Sequence, residues 1–427
     1  MTEATMGRRE RKKARTRQAI ADAALQLFLE RGFDQVAIKD VAEAADVSMS
    51  GLFKHFPTKE ALVFDEEDDV QASLVSAVGD RPQGTSVLQA LRAWLLTRAC
   101  EGSADPRTAA FLDLIARTPA LSDYARRMWR RHEEELAQAI RQAGPDTPRA
   151  DIAARAVARF VLDRAQPWQP GDLHAELDAA FTLLTHGWPA PELHATPHPP
   201  PCTAPSSSSA PPSPARPPGL RERKKAATRQ AITETAVELF TVRGYDNVGV
   251  REIAEAAGTS IATLFTYFPD GKAGLVFPGD RSDHIAALVR TVHFRRPGQS
   301  VLAALHDHMA GRGPFEANPT PDEQCVLDLI RATPELRDYA LRSWIVAQEP
   351  LTTAIAQEAA LRADDLTARL LARYVLQIPD LAAATADARR TLDVVIGLLE
   401  RGWPASLTNQ PPEHRPGGRA PQSGCSV

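Results

Sequence analysis

The chain contains one pattern twice, and this duplication limits it to folds that can be built from two similar halves. Residues 9–57 read RERKKARTRQAIADAALQLFLERGFDQVAIKDVAEAADVSMSGLFKHFP, and residues 221–269 read RERKKAATRQAITETAVELFTVRGYDNVGVREIAEAAGTSIATLFTYFP. The two segments align without a gap, and about half of their positions are identical. Positions that both copies keep therefore indicate scaffold, whereas positions that differ indicate where function has diverged.

Each copy opens a longer repeat. Repeat 1 spans about residues 9–190 and repeat 2 about residues 219–405, and both end in Gly-Trp-Pro. The Pro- and Ser-rich segment 191–218 is predicted to be a linker, and residues 406–427 a disordered tail. Each repeat is predicted to divide into a head and a core, namely head 1 (9–70), core 1 (71–190), head 2 (219–283) and core 2 (284–405).

Composition excludes several classes of protein. No apolar run is long enough to span a bilayer, and no signal-type stretch follows the basic N-terminus, so we expect a cytoplasmic protein with no membrane partner. The cysteines are scattered, which favours reduced thiols over a disulfide framework or a zinc site; they are Cys100, Cys202, Cys325 and Cys425. His306 and His308 do not share a helix face, so no metal or other cofactor is predicted.

Charge is segregated although the net charge is only -4. A basic block precedes the first apolar pattern of each repeat. The first comprises Arg8, Arg9, Arg11, Lys12, Lys13, Arg15 and Arg17, and the second Arg216, Arg221, Arg223, Lys224, Lys225 and Arg229. A single basic run is usually a solvated face, but two at equivalent places favour a polyanionic partner. The acidic run at residues 65–69 offsets part of this charge.

Apolar residues recur with helical period almost throughout, and the predicted fold class is all-α, with about nine helices per repeat. In the first helix they are Ile20, Ala24, Leu27 and Phe28. Gly32 and Gly244 are predicted to end this helix in the two repeats. Short helices follow over 38–45 and 48–56, and Thr58 is predicted to cap a fourth. Thr118 and Thr333, each before a proline, are predicted to cap later helices.

Residues 37–56, and 249–268 in repeat 2, have the pattern of a helix-turn-helix. The two short helices are joined by a tight turn at residues 46–48, where Ser48 is placed to cap the second helix. In such a unit the second helix lies in the DNA major groove, and its N-terminal residues meet base edges. Two-helix corners also occur as plain structural elements, so this pattern alone leaves both interpretations open.

The segment RGFDQVAIKDVAEAADVSMSGLFKHFPTKEALV resembles the DNA-binding head of the TetR family of bacterial transcriptional regulators, and residues 243–277 match the same pattern. The downstream helices resemble the ligand-binding and dimerisation cores of that family more loosely. The resemblance implies double-stranded operator DNA and an unidentified small-molecule effector as partners. It also implies two paired heads, supplied either by the two repeats of one chain as a pseudo-dimer or by a homodimer.

The resemblance also implies roles for individual residues. Base contacts fall on Met49, Ser50 and Phe53 in repeat 1, and on Ile261, Ala262 and Phe265 in repeat 2. Phosphate contacts fall on Gly51, Lys54, His55 and Lys59, and on Thr263, Thr266, Tyr267 and Lys272. Further DNA-binding candidates are Lys39, Ser48, Arg251 and Ser260.

Elementary physics agrees with several of these roles. Lys59 is expected to open the fourth helix, where free N–H groups and the helix dipole favour a phosphate. The basic block ahead of helix one can follow phosphates or enter a neighbouring groove. The alternatives are a solvated lysine for Lys59 and a partly buried capping residue for His55, while Met49 can be a plain surface residue.

The sequence departs from the family pattern in three places. Ala37 and Gly249 stand where the family usually has a threonine N-cap, a loss of about 1 kcal/mol for alanine. Phe53 and Phe265 replace a common tyrosine, which leaves only apolar contact, for instance with thymine methyl groups. Repeat 2 is one residue longer after its recognition helix, and Asp270 there is unfavourable near a phosphate. We therefore expect DNA binding mainly through repeat 1.

By the same resemblance an effector pocket lies among the middle helices, although ordinary core packing is the alternative for each candidate. The candidates are Trp94, Phe111, Met128, Trp129 and Trp344. The last two helices of each repeat are candidates for pairing or, alternatively, for internal core; they cover residues 151–165, 173–185, 366–378 and 391–399.

Three classes of function remain to be compared. The favoured interpretation is a tandem regulator that binds operator DNA and is released by a small ligand, most simply as a repressor. An enzyme is not predicted, because the sequence has no nucleophile motif, no glycine-rich phosphate loop and no metal-spaced His/Cys set. The alternative is an interaction or ligand-sensing protein in which head 2, or both heads, no longer binds DNA.

Overall fold

A computed structural model describes residues 7–104, 107–144, 147–165, 173–188, 220–277, 281–385 and 387–403. Over these ranges every regular element is a helix, which confirms the all-α fold class. The described residues form two compact units, one reaching Thr185 and including Trp403, the other covering His186–Gly402. No helix in the described ranges has the length and hydrophobicity to cross a bilayer. The predicted linker and tail, together with Cys202, Cys425 and Arg216, lie outside the described residues.

Repeat 1 contains nine described α-helices: α1 (Arg8–Arg31), α2 (Ile38–Ala44), α3 (Met49–His55), α4 (Glu67–Gly79), α5 (Val87–Ala104), α6 (Thr108–Arg117), α7 (Pro119–Gln142), α8 (Pro148–Ala165) and α9 (Leu173–His186). A 3-10 turn at Glu60–Leu62 separates α3 from α4. This agrees with the expected number of helices.

Repeat 2 contains ten described α-helices: α10 (Leu220–Arg243), α11 (Val250–Ala256), α12 (Ile261–Tyr267), α13 (Arg281–His293), α14 (Val301–Ala310), α15 (Pro321–Ala332), α16 (Pro334–Ile345), α17 (Gln348–Glu358), α18 (Leu366–Ala383) and α19 (Ala388–Arg401). Short 3-10 turns lie at Ala273–Val276 and Gly313–Phe315. The additional helix arises because α16 and α17 replace the single α7. Pro350 stands in the first turn of α17, where a continuous helix would lose a hydrogen bond and clash with the proline ring.

The buried core of head 1 extends into α6 and α7. Ile20, Ala24 and Phe28 have no exposed surface, as the apolar face of α1 predicts, and Ile115 and Leu121 join the same cluster from α6 and α7. Full burial of each large apolar side chain contributes about 1.5–3 kcal/mol. In repeat 2 the corresponding cluster includes Leu336 of α16. A shift of α6 or α7, or of α16, must therefore be felt by the head of its own repeat.

Of the five predicted helix boundaries, four are confirmed and that at Thr58 needs correction. Gly32 and Gly244 end the first helix of each repeat with positive φ, at 85° and 84°. Thr58 does not start an α-helix: its hydroxyl accepts from the Ala61 N–H at 3.3 Å within a 3-10 turn, and α4 begins only at Glu67. Thr118 and Thr333 stand at the N-cap positions of α7 and α16, which begin at the prolines that follow, but their hydroxyls make no capping hydrogen bond.

Candidate nucleic-acid interface

The turn between α2 and α3 depends on one residue with left-handed backbone. Asp46 has φ 54°, and the next N–H, of Val47, donates to the Ala42 carbonyl at 3.0 Å, which closes the end of α2. Gly258 occupies the equivalent place in repeat 2 with φ 62°. Glycine adopts this conformation without steric cost and aspartate tolerates it, so both copies form the same corner from different residues.

The predicted cap by Ser48 is confirmed, and Ser260 caps the recognition helix of repeat 2 in the same way. Ser48 Oγ accepts from the Gly51 N–H at 3.1 Å, and Ser260 Oγ accepts from the Thr263 N–H at 3.0 Å. Because these hydroxyl oxygens hold the first turn of the recognition helix, the two serines orient α3 and α12. Ala37 provides no side-chain cap, yet its own N–H donates to Asp40 at 3.0 Å and so keeps half of a capping box.

The recognition helices expose apolar side chains on one face. In α3, Met49 is 40% exposed and Phe53 is 45% exposed, whereas Leu52 between them is fully buried. In α12, Ile261 is 39% exposed and Phe265 is 44% exposed. Four residues apart on a helix, the two side chains of each pair lie side by side, which is the arrangement needed to meet thymine methyl groups in a major groove.

The polar members of the predicted site differ between the repeats. Lys54 is exposed, and among the described residues it has no ion-pair partner. Its equivalent in repeat 2, Thr266, donates its hydroxyl to the Ala262 carbonyl of its own helix at 2.9 Å. Ser50 of α3 and Arg251 of α11 are both exposed. Lys39 forms a solvent-exposed ion pair with Glu43 at 3.4 Å. Repeat 1 therefore presents a cation on its recognition helix where repeat 2 does not.

His55 lies half-buried at the end of α3, which favours the capping alternative over a free phosphate donor. Its Nδ1 is buried without a hydrogen-bond partner among the described residues. Burial lowers the pKa of His55, and the positive charges of Lys13 and Arg17 lower it further. The imidazole is therefore neutral near pH 7. Its counterpart Tyr267 is likewise half-buried and packs against the core of head 2.

Arg17 corrects the predicted basic block in two ways. The block does not precede the first helix but forms the first turns of α1, with residues 8–15 exposed. Arg17 itself turns inward, because Nη1 donates to the His55 carbonyl at 2.7 Å and Nη2 to the Asp65 carbonyl at 2.9 Å. Its guanidinium also lies 4.4 Å from the Phe56 ring centroid. This arginine fixes the end of the recognition helix to α1 and is not a free surface charge.

Lys59 and Lys272 have a structural role that the sequence analysis missed. Lys59 Nζ donates to the Phe33 carbonyl at 2.5 Å and lies 4.3 Å from the Phe33 ring centroid. Lys272 Nζ likewise donates to the Tyr245 carbonyl at 2.5 Å and lies 4.0 Å from the Tyr245 ring centroid. Burial lowers the pKa of Lys59. The aromatic residue that follows the helix-ending glycine in both copies was the available signal; phosphate contact by these lysines remains a prediction.

Asp270, in the longer turn of repeat 2, is held by the core. The Tyr339 hydroxyl of α16 donates to Asp270 at 2.9 Å. In repeat 1 the equivalent Tyr124 donates instead to Glu67, at 2.8 Å, and stacks on Phe64 at 5.2 Å between ring centroids. Burial and the Glu67 carboxylate raise the pKa of Tyr124 to about 12. Each repeat thus joins head to core through one tyrosine, but with a carboxylate from a different element.

The four candidate pocket residues of repeat 1 line neither of the two grooves described in that repeat. Phe111 and Trp129 pack against the core of head 1, and Met128 is buried. Trp94 donates from Nε1 to Ser73 at 3.1 Å, and Trp344 stands edge-on to His284. Two shallow grooves in repeat 1 are lined by other residues, one along α4 and one between the end of α1 and α6. The effector pocket remains a prediction.

Comparison with known proteins matches both heads to one family. The sequence profile of the family described as bacterial regulatory proteins, tetR family, matches residues 20–65 and 232–277. Each match covers the helix-turn-helix and the turn that follows it, so the two copies recognised from the sequence are two copies of the same domain.

Individual relatives agree over longer stretches. The HTH-type transcriptional regulator TcmR of Streptomyces glaucescens is 33% identical over 130 residues, which cover 28% of this chain and 57% of TcmR. The protein MftR of Mycobacterium tuberculosis is 29% identical over 156 residues, or 36% of this chain and 78% of MftR. A solved structure of a putative tetR family transcription regulator from a Shewanella species is 24% identical in sequence. The match covers 39% of this chain and 95% of that chain, with a TM-score of 0.25.

Proposed function

We propose that this chain, which belongs to the TetR family and carries the family's N-terminal domain twice, is a sequence-specific DNA-binding regulator of transcription. The observation that carries the proposal is the exposed face of α3. A serine-capped recognition helix holds Met49 and Phe53 in solvent at 40% and 45% exposure, next to the unpaired charge of Lys54. Apolar contact to thymine methyl groups supplies sequence preference, and Lys54 with the first turns of α1 supplies phosphate attraction.

The operator is proposed to consist of two unequal half-sites. The buried scaffold of the recognition helices is the same in both repeats, as Leu52 and Leu264 illustrate, but the exposed positions differ. Met49 is replaced by Ile261, and Lys54 by Thr266. Because side chains on this face meet base edges, two different faces favour an imperfect palindrome, with repeat 1 contributing most of the affinity.

The two repeats are proposed to supply both heads of one pseudo-dimer. The apolar positions that family resemblance assigns to pairing are buried in the single chain; they are Phe160, Val161, Phe181, Leu184, Tyr374, Val375, Val395 and Ile396. Internal core packing of each repeat would bury them equally, so the support for pairing within one chain is the linker 191–218, which gives the two heads a high effective concentration. The competing arrangement is a homodimer of tandem chains with four heads, which light scattering distinguishes by a mass of two chains.

The regulator is further proposed to be a ligand-responsive repressor. The core of head 1 shares Ile115 and Leu121 with α6 and α7, so an effector that moves these helices changes the head directly. Such an effector must bind the DNA-incompetent state more tightly, and DNA must weaken effector binding by the same factor. A thermal-shift screen of small apolar compounds tests this, provided that hits are then assayed for weaker DNA binding. Hits that stabilise the protein without changing DNA affinity would count against it.

Selection of bound sequences from random duplex DNA with the full chain tests the main proposal. We expect one enriched motif with two unlike halves, of which the half read by repeat 1 is the more strongly enriched. A matched pair of double variants, Met49→Ala with Phe53→Ala and Ile261→Ala with Phe265→Ala, assigns each half to its repeat. Enrichment no better than random sequence would overturn the assignment of a sequence-specific regulator.

One observation favours a second candidate function for repeat 2. Thr266 directs its hydroxyl into its own helix, and Asp270 introduces a carboxylate after α12 that the core holds through Tyr339. Head 2 would then be a sensing or interaction module that no longer binds DNA. In the selection this candidate predicts a single half-site and no effect of the repeat 2 double variant.

A further inference from the structure

Core 2 brings four basic side chains together. His284 and Arg290 lie on α13, His308 lies on α14, and Arg312 follows two residues after that helix. Arg312 Nη1 is 2.6 Å from both ring nitrogens of His308, and Thr291 Oγ1 is 2.8 Å from Nδ1 of the same ring. Two groups that both favour positive charge thus face each other at hydrogen-bond distance.

The described surroundings provide no opposite charge for this cluster. No described carboxylate forms an ion pair with Arg290 or Arg312 within 4.0 Å. Burial, followed by the charges of Arg312, His284 and Arg290, lowers the pKa of His308 to about 4. Burial and then Arg312 also lower the pKa of His284. The histidines are therefore neutral while the arginines stay charged, and the site keeps a positive potential that a bound anion would relieve.

An unpaired polar atom lies beside an apolar ring in the same cluster. His284 Nε2 is buried and has no hydrogen-bond partner among the described residues. A buried polar atom without a partner is costly, so each such atom calls for a ligand or water. The Trp344 ring stands edge-on to His284, with ring centroids 4.3 Å apart. The site thus offers donors to an acidic group and a flat apolar surface to its carrier.

Repeat 1 provides an internal comparison for this site. Ser86-Val87-Leu88 before α5 corresponds to Ser300-Val301-Leu302 before α14 without a gap back to the preceding helix. Arg81 and Arg295 confirm this correspondence, because their Nη1 atoms donate to the Val78 and Val292 carbonyls, at 2.7 Å and 3.0 Å. The two cores can therefore be compared residue by residue over α4–α5 and α13–α14.

The basic cluster is present only in repeat 2. For His284, Arg290 and His308, the equivalents in repeat 1 are, in order, Val70, Ser76 and Trp94. The fourth position is Arg98, which has a partner in Glu66 at 3.8 Å. Residues 66–69 at the start of α4 are all acidic, so their negative charges would repel an anion.

We propose that core 2 binds the acidic group of a small organic anion, a carboxylate or a phosphate, between α13, α14 and Trp344 of α16, and that core 1 has no such site. Arg312 would hold the anion's oxygens, and Trp344 would contact its apolar body. This inference rests on the proposed function in taking the core as the effector-binding part, and it restricts the effector to one chemical class and one repeat.

Histidine resonances of the full chain test the proposal without any substitution. The protein, with ¹⁵N-labelled histidine, is titrated at constant ionic strength with sodium benzoate and, separately, with inorganic phosphate. We expect a saturable shift of the His284 and His308 signals with at least one probe, and a rise of the pKa of His308, because an anion stabilises the imidazolium. Benzoate alone identifies a carboxylate on an apolar body, and phosphate alone identifies a phosphate group. No saturable shift with either probe would overturn the proposal.

Matched variants then locate the site. His308→Trp installs the repeat 1 residue, and Arg312→Gln removes one charge at an exposed position; each is expected to weaken probe binding by about tenfold or more, the effect of losing a charge-assisted hydrogen bond. Arg98→Gln in repeat 1 is the control and should leave binding unchanged. Unchanged affinity in Arg312→Gln would contradict the proposal even if His308→Trp fails to fold. DNA is absent from these measurements, so failure of the anion site and failure of the proposed function are separate results.

Discussion

Arg17 of α1 holds the last carbonyl of the recognition helix, that of His55, through a 2.7 Å hydrogen bond from Nη1. Nη2 of the same guanidinium donates to the Asp65 carbonyl at 2.9 Å, so one side chain joins α1, the end of α3 and the segment just before α4. A carbonyl at a helix C-terminus carries partial negative charge, which is where an arginine is most favourable. The orientation of the recognition helix therefore depends on an arginine that is bonded to backbone carbonyls of its own head.

Replacement of Arg17 is expected to act on stability. Arg17→Ala leaves two part-buried carbonyls without their donor, and we expect the free energy of unfolding of head 1 to fall by about 2 kcal/mol. Urea unfolding of the full chain measures this. Arg15→Ala, at an exposed position two residues earlier, is the control and should unfold like the wild type. Equal unfolding free energies of the two variants would show that Arg17 does not stabilise head 1.

Lys54 and Lys59 are expected to separate in a salt titration of DNA affinity. Lys54→Ala should lower the slope of log affinity against log salt by about 0.9, because it removes one phosphate contact. Lys59→Met should leave the slope unchanged and lower the unfolding free energy by about 1–2 kcal/mol, because its ammonium is bonded to the Phe33 carbonyl. A smaller slope in Lys59→Met would instead assign that lysine to a phosphate.

The corner of the helix-turn-helix offers a test of backbone strain. A side chain at Gly258 would meet no atom within 4 Å, so a substitution there acts only through its φ of 62°. Gly258→Val should lower the unfolding free energy of head 2 by about 1–2 kcal/mol. The opposite exchange in repeat 1, Asp46→Gly, should raise that of head 1 by about 0.5 kcal/mol. A valine variant as stable as the wild type would show that the corner relaxes to another conformation.

The sequence predicted those features that local rules decide. The buried face of α1, the glycine that ends it and the serine cap of α3 follow from spacing and from the properties of single residues, and all are found. The structural contacts of Lys59 and Arg17 were not predicted, because the direction of a long side chain depends on tertiary partners, here the Phe33 and His55 carbonyls, that no local pattern reveals. Pro350 was the available signal for the break between α16 and α17, since a proline removes a helix hydrogen bond and disfavours a helix interior.

His132 predicts a dependence of stability on pH. It lies fully buried on α7, with both ring nitrogens lacking a described partner. Burial lowers the pKa of His132 from 6.5; Glu67 and Asp68 oppose this shift, and Arg131 adds to it. Below pH 6.5 His132 is therefore protonated in the unfolded chain but stays neutral in the folded chain. The free energy of unfolding decreases as the pH falls from 6.5 toward the lower pKa of the folded state.

Thermal unfolding between pH 7.5 and pH 5 checks this expectation. His132→Phe should show a smaller fall in Tm than the wild type, because it removes one of the histidines that resist protonation in the fold. His186→Gln, at an exposed histidine, is the control and should follow the wild-type curve. An identical fall in His132→Phe would assign the acid sensitivity to other groups.

Thymine methyl groups are the proposed targets of the exposed apolar faces, and a duplex with deoxyuridine removes only those methyl groups. We expect the wild-type chain to bind the deoxyuridine duplex more weakly than the selected thymine duplex. If Phe53 reads a methyl group, Phe53→Ala should bind the two duplexes nearly equally, because the contact is already absent. An undiminished preference for thymine in Phe53→Ala would assign the methyl contact to another residue.

The most direct measurement of the central claim compares the two matched head variants on one selected duplex by fluorescence anisotropy. We expect the double variant Met49→Ala with Phe53→Ala to bind the duplex about tenfold more weakly or worse, since base contacts are worth about 1–3 kcal/mol each. Ile261→Ala with Phe265→Ala should weaken binding less. Wild-type affinity in the repeat 1 variant would contradict the claim that this chain reads DNA with α3.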